Sequence, residues 1–155
     1  MKIKHVFSAF AISTAVFFSG LASAVEEVYV NAKGVTLAGY DAVAYFTEDA
    51  AVKGSDKYSA SYENATYYFS SKVHQDLFEE NPSKYAPQYG GYCAYGAALG
   101  KKFDVNGKAF EIVDGKLYVN KNKKVYGIWS KEKSENIETA NNEWPEIEAV
   151  AVKDL

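Results

Sequence analysis

The chain has 155 residues, 20 acidic side chains against 17 lysines, no arginine, a formal net charge of −3 and a sequence pI near 5.4. An acidic, arginine-free chain offers no basic stripe to a phosphate backbone, which argues against nucleic acid as a partner. Only one cysteine is present, so an internal disulfide framework is excluded.

The first residues have the layout of an export signal. Lys2 and Lys4 make a basic start, residues 6–21 are largely apolar, and Ala22-Ser23-Ala24 forms a small-residue cleavage site. Cleavage after Ala24 is expected, giving a signal peptide over 1–24 and a single domain over 25–155 with its core at about 33–147. The product is then periplasmic or secreted. The apolar stretch is short for a membrane span and is interrupted by serine, threonine and glycine, and no later segment is apolar enough to cross a bilayer.

Residues 25–31 read as a short strand. The run Gly39-Tyr40-Asp41 precedes an apolar Ala42-Val43-Ala44-Tyr45-Phe46, so Asp41 is expected at a turn or helix start, or as an acceptor orienting a site residue. Residues 58–69 alternate aromatic and polar side chains around Glu63-Asn64-Ala65 and predict a hairpin. Ser70 and Ser71 then offer a helix cap, and Val73, Leu77 and Phe78 recur at helical spacing with His74 at the edge of their face. Asn81-Pro82 stops that helix. Gly90-Gly91 breaks the chain before a small, aromatic segment at 92–99, expected to be helical. Asp114-Gly115, flanked by apolar alternation over 109–120, predicts a second hairpin. Residues 121–147 read as helical, with Val125, Ile128 and Trp129 on one face and Trp144-Pro145 folding back at the end. No internal repeat is apparent. The fold class expected is α+β: a single small domain with β-hairpins, short helices around the His/Cys segment and a C-terminal helix.

The chemistry-bearing residues concentrate in 67–100. His74 and Cys93 are the only histidine and cysteine beyond the signal segment, and six of the thirteen tyrosines lie there, Tyr68, Tyr92 and Tyr95 among them. A neutral imidazole with a thiolate suits a soft metal such as copper, whereas a structural zinc site needs four ligands, more than this pair supplies. The same two residues could instead form a thiol-based redox pair, with Cys93 as nucleophile, His74 as base, and Ser70 or Asp41 as orienting group. A third possibility is a tyrosine-lined surface that recognises a periplasmic protein partner. The first expectation is metal held by His74 and Cys93, supported by Asp41, Ser70, Tyr68, Tyr92 and Tyr95.

The motifs GYDAVAYF (39–46), YYFSSKVHQDLFEENPSKYAPQYGGYCAYG (67–96) and IVDGKLYVN (112–120) resemble those of the YHS-domain family, in its small exported type. The wider family, with the related TRASH domains, often binds metal through three cysteines. Their positions here read Ala44, Ser70 and His74, so the resemblance implies that the three-thiolate site is gone and that His74 is the remaining ligand. Relatives of the exported type are similar around GGYCAYG, some with selenocysteine near this cysteine. That likeness implies a redox or soft-metal role for Cys93.

Overall fold

In a computed structural model, residues 26–155 are described; the signal peptide expected over 1–24 lies outside them. The elements run α1 (Ala44–Thr47), β1 (Ser55–Tyr62), β2 (Ala65–Phe69), α2 (Lys72–Glu80), α3 (Pro82–Tyr85), α4 (Ala94–Ala98), β3 (Phe110–Val113), β4 (Lys116–Val119), α5 (Lys123–Trp129) and α6 (Lys133–Ile147). The architecture is α+β, with two antiparallel hairpins, β1–β2 and β3–β4. Both turn on two residues with positive φ, Glu63-Asn64 and Asp114-Gly115, the backbone hand that matches strand twist in tight hairpins. Among the described residues no helix is long and apolar enough to cross a membrane.

The structure contains a repeat that the sequence reading does not anticipate. Leu37-Ala38-Gly39 and Tyr89-Gly90-Gly91 are both left-handed turns, with φ of 51, 52 and 77° in the first and 54, 57 and 77° in the second. Each is preceded by a parallel bridge to the second strand of its hairpin, Val35 with Thr66 and Pro87 with Leu117. The bonds correspond one to one: Thr36 N–H donates to Thr66 O as Gln88 N–H does to Leu117 O, and Tyr40 N–H donates to Leu37 O as Tyr92 N–H does to Tyr89 O. Asp41 N–H reaches Val52 O, and Cys93 N–H reaches Phe103 O. After each hairpin a side chain caps the next helix, Ser71 on His74 N–H and Asn122 on Val125 N–H. Each half also has its own aromatic centre. Tyr67 lies on Phe78 at 4.5 Å between ring centroids, and Tyr118 on Trp129 at 5.8 Å. All four rings are buried. One unit, left-handed turn, short helix, hairpin and capped helix, is built twice.

Several local expectations are corrected. Residues 26–31 form no strand; Tyr29 N–H bonds Gly90 O and Asn31 N–H bonds Val35 O, so this stretch crosses between loops rather than along a sheet. Val73 is 65% exposed, because the inward face of α2 is carried by His74, Leu77 and Phe78. Ile128 is likewise exposed while Trp129 is fully buried. The helical stretch at 123–147 is interrupted by a 3-10 turn at Ser130–Glu132. Pro145 does not end it: α6 continues to Ile147, and Trp144 packs on Tyr89 and Tyr92 from within the helix. A proline one turn from a helix end removes only one bond. The end is held by Lys102, a buried lysine whose ammonium donates to Glu148 O, Val150 O and Glu26 O and lies over the rings of Tyr92 and Trp144. Burial draws its pKa down, against the opposing pull of Glu26, Glu148 and Glu27.

Candidate functional site

Two sites emerge at equivalent places in the two halves. In the first, the left-handed turn at 37–39 delivers Asp41 to the interior, where it is fully buried. Its Oδ1 accepts from the N–H groups of Val43 (2.9 Å) and Ala44 (3.2 Å), an Asx turn that starts α1. Its Oδ2 accepts from Ser70 N–H (2.8 Å), Ser70 Oγ–H (2.7 Å) and the Nδ1–H of His74 (2.7 Å). Asp41 is therefore both a turn residue and the group that orients an imidazole. A carboxylate can only accept, so Nδ1 carries a proton, and in the neutral tautomer this sets, Nε2 is the ring's acceptor nitrogen. Nε2 lies 3.5 Å from Thr47 Oγ1 and 3.8 Å from a Glu48 carboxylate oxygen, with the side chain 13% exposed. A carboxylate behind a histidine is the arrangement that primes the far nitrogen for a metal ion or a proton.

In the second site the same turn delivers Cys93, also fully buried. Its sulfur accepts from Lys121 N–H at 3.3 Å, as Asp41 accepts from Ser70 N–H, and its thiol donates to Asn120 Oδ1 at 3.5 Å. Asn120 Oδ1 also takes Tyr95 N–H, while its buried Nδ2 has no partner among the described residues. Burial pushes the Cys93 thiol up, and the N–H groups of Gly96, Lys121 and Tyr95 pull the other way without overcoming it. Above the sulfur opens a cavity of about 290 Å³, lined by Cys93 with Tyr95, Gly96, Leu99, Phe103, Lys121 and Val125, and almost wholly apolar. Leu99 and Phe103 are exposed at its rim.

Among the described residues His74 and Cys93 share no hydrogen-bonding partner: the first is surrounded by Asp41, Ser70, Thr47 and Glu48, the second by Asn120 and Lys121. Among the described residues no three histidine, cysteine or acidic side chains gather as a metal-binding group. Tyr92 stands apart from both sites, its hydroxyl on Glu26 O at 2.9 Å and its pKa pushed up to about 12 by burial. Tyr68 is partly buried, with its backbone against Gly54. Tyr95 does line the cysteine cavity. The residues missed by sequence reasoning are Thr47 and Glu48 at the first site, and Leu99, Phe103, Asn120, Lys121 and Val125 at the second. The signal for them was the pair of Gly-Tyr-x-Ala runs, Gly39-Tyr40-Asp41-Ala42 and Gly91-Tyr92-Cys93-Ala94. No family model, curated protein or solved structure matches the chain.

Proposed function

We propose that the protein is an exported binding module of YHS-like type whose ligand seat is the cavity above Cys93. The observation that carries this reading is the cavity itself: concave, apolar and floored by a soft polarisable sulfur, close to the lower end of the size range of small-ligand pockets at roughly 300 Å³. Nucleophilic redox chemistry is less well supported. Burial holds the proton on the thiol, and the imidazole that would remove it is engaged with Asp41 in the other half of the chain.

The test is amide-resolved NMR of the protein from residue 25 onward with a set of small apolar fragments. Shifts should cluster at Tyr95, Leu99, Lys121 and Val125 and vanish in Val125→Phe, which fills the cavity. Shifts confined to other surfaces would overturn the assignment. A second reading, soft-metal binding with copper as the ion, is favoured by the Asp41-oriented imidazole of His74, a borderline donor that suits copper, and by the soft sulfur of Cys93. A Cu(I) titration of the wild type, Cys93→Ser and His74→Ala measures it. Because the two donors share no partner, each substitution should remove its own binding event and leave the other.

A further inference from the structure

The repeat allows each site to be read against the other. The counterpart of Asp41 is Cys93, that of Ser70 is Lys121, and that of His74 is Val125, each pair at the same place relative to turn, hairpin and helix cap. The residues at the start of α1 correspond in the same way: Val43 and Ala44, whose N–H groups bond Asp41, to Tyr95 and Gly96, and Thr47, beside His74 Nε2, to Leu99. Five of the seven residues that line the Cys93 cavity are thus counterparts of Asp41 and of residues bonded to it or to His74, and a sixth, Val125, is the counterpart of His74 itself. In the first half that space is filled by the imidazole, whose Nδ1–H points at the acceptor below. In the second half the helix supplies a valine, and the space above the sulfur is open.

We infer that the Cys93 cavity takes a small nitrogen heteroaromatic ring of the imidazole or benzimidazole class, seated as the His74 ring is seated over Asp41. The inference rests on the binding-module reading and names its ligand class. The ring N–H donates to Cys93 Sγ, which already accepts one N–H from Lys121 and has its own S–H directed to Asn120, as Asp41 Oδ2 accepts both Ser70 and His74. Tyr95, Leu99, Phe103 and Val125 enclose the ring faces. At the mouth the Lys121 ammonium, paired with Asp104 at 2.8 Å and 5.4 Å from the Phe103 ring centroid, provides a donor for the second ring nitrogen. An apolar enclosure with few, aimed polar groups is the usual construction of a small-ligand site.

The experiment titrates the protein from residue 25 onward with benzimidazole and with 1-methylbenzimidazole, which keeps the ring and lacks the N–H. NMR shifts at Leu99, Lys121 and Val125 report occupancy, and protection of Cys93 from alkylation reports contact with the sulfur. Benzimidazole should bind and protect, and the methylated ring should bind about tenfold more weakly, the value of one hydrogen bond. Equal binding of both rings would overturn the heterocycle assignment and leave the binding module standing. Binding of neither, with no protection, would remove both. Val125→His should close the cavity with its own imidazole and abolish benzimidazole binding. If that variant folds poorly, the triple variant Cys93→Asp, Lys121→Ser, Val125→His rebuilds the whole first-half cluster. It should give a second histidine protonated on Nδ1 in its nitrogen spectrum. A ring free in solvent in the triple variant would refute the equivalence of the two sites.

Discussion

Asp41→Asn is the substitution that most directly tests the first site, since the side chains are the same size and only the acceptor count changes. The carboxylate takes five hydrogen bonds, three from backbone N–H groups of Val43, Ala44 and Ser70 and two from the Ser70 hydroxyl and His74. An amide must turn its NH2 toward one of the two groups of donors. Facing Val43 and Ala44 it opposes two backbone N–H groups that cannot turn away. Facing Ser70 and His74 it opposes one, because the hydroxyl can rotate and the imidazole can move its proton to Nε2. The second arrangement is therefore preferred. It leaves one part-buried N–H, that of Ser70, facing a donor and replaces charge-assisted bonds by neutral ones, for a total of about 1–3 kcal/mol. Urea unfolding measures the loss, and nitrogen chemical shifts of His74 report the tautomer. The expected result is a destabilisation in that range with the His74 proton relocated to Nε2. A loss below about 0.5 kcal/mol, with Nδ1 still protonated, would show that the cluster does not hold the ring as argued.

Two further outcomes follow from the same structure. A Cβ at Gly54 would lie 2.4 Å from the backbone carbon of Tyr68, so Gly54→Ala should cost about 2 kcal/mol or more, whereas Gly115→Ala, at φ +73° in open space, should cost about 1 kcal/mol; equal melting temperatures for the two would refute the close approach. Burial raises the Cys93 pKa above its ordinary 9.0, so the folded state keeps a proton that the unfolded chain loses. The stability this confers is present below pH 9 and is lost as pH rises through the folded pKa; wild type should therefore lose stability relative to Cys93→Ala in urea melts taken from neutral pH to about pH 10, and a constant difference between them would refute it.

The hairpins were legible because their turn residues and alternation are local signals, and Asn81-Pro82 marked a helix end for the same reason. Asp41 could be placed at a turn from Gly39-Tyr40-Asp41, but its bonds to Ser70 and His74 depend on how the hairpin folds over α1, which no local pattern records. Val73 and Ile128 satisfied helical spacing and still face solvent, since spacing defines a stripe and tertiary contacts decide its edge. Lys102 was unreadable: a lysine among polar residues gives no hint that three carbonyls from opposite ends of the described chain converge on it. The repeat escaped notice because identity between its halves is nearly confined to the Gly-Tyr-x-Ala runs. The left-handed turns it preserves are held by backbone bonds that many sequences can make.

Those twin turns give the molecule an unusual property for engineering. Each half offers a ready-made reference for the other, with a corresponding chain path, a side-chain helix cap at the same place (Ser71 or Asn122) and a different pair of side chains at the centre. Residues can be transplanted between corresponding positions, and the outcome separates what the scaffold demands from what the chemistry of each site adds. By that measure the scaffold demands an interior acceptor for the N–H of residue 70 or 121, met by an oxygen in one half and a sulfur in the other. The freedom to choose between oxygen and sulfur there is the latitude within which two copies of one unit can diverge without either losing its shape.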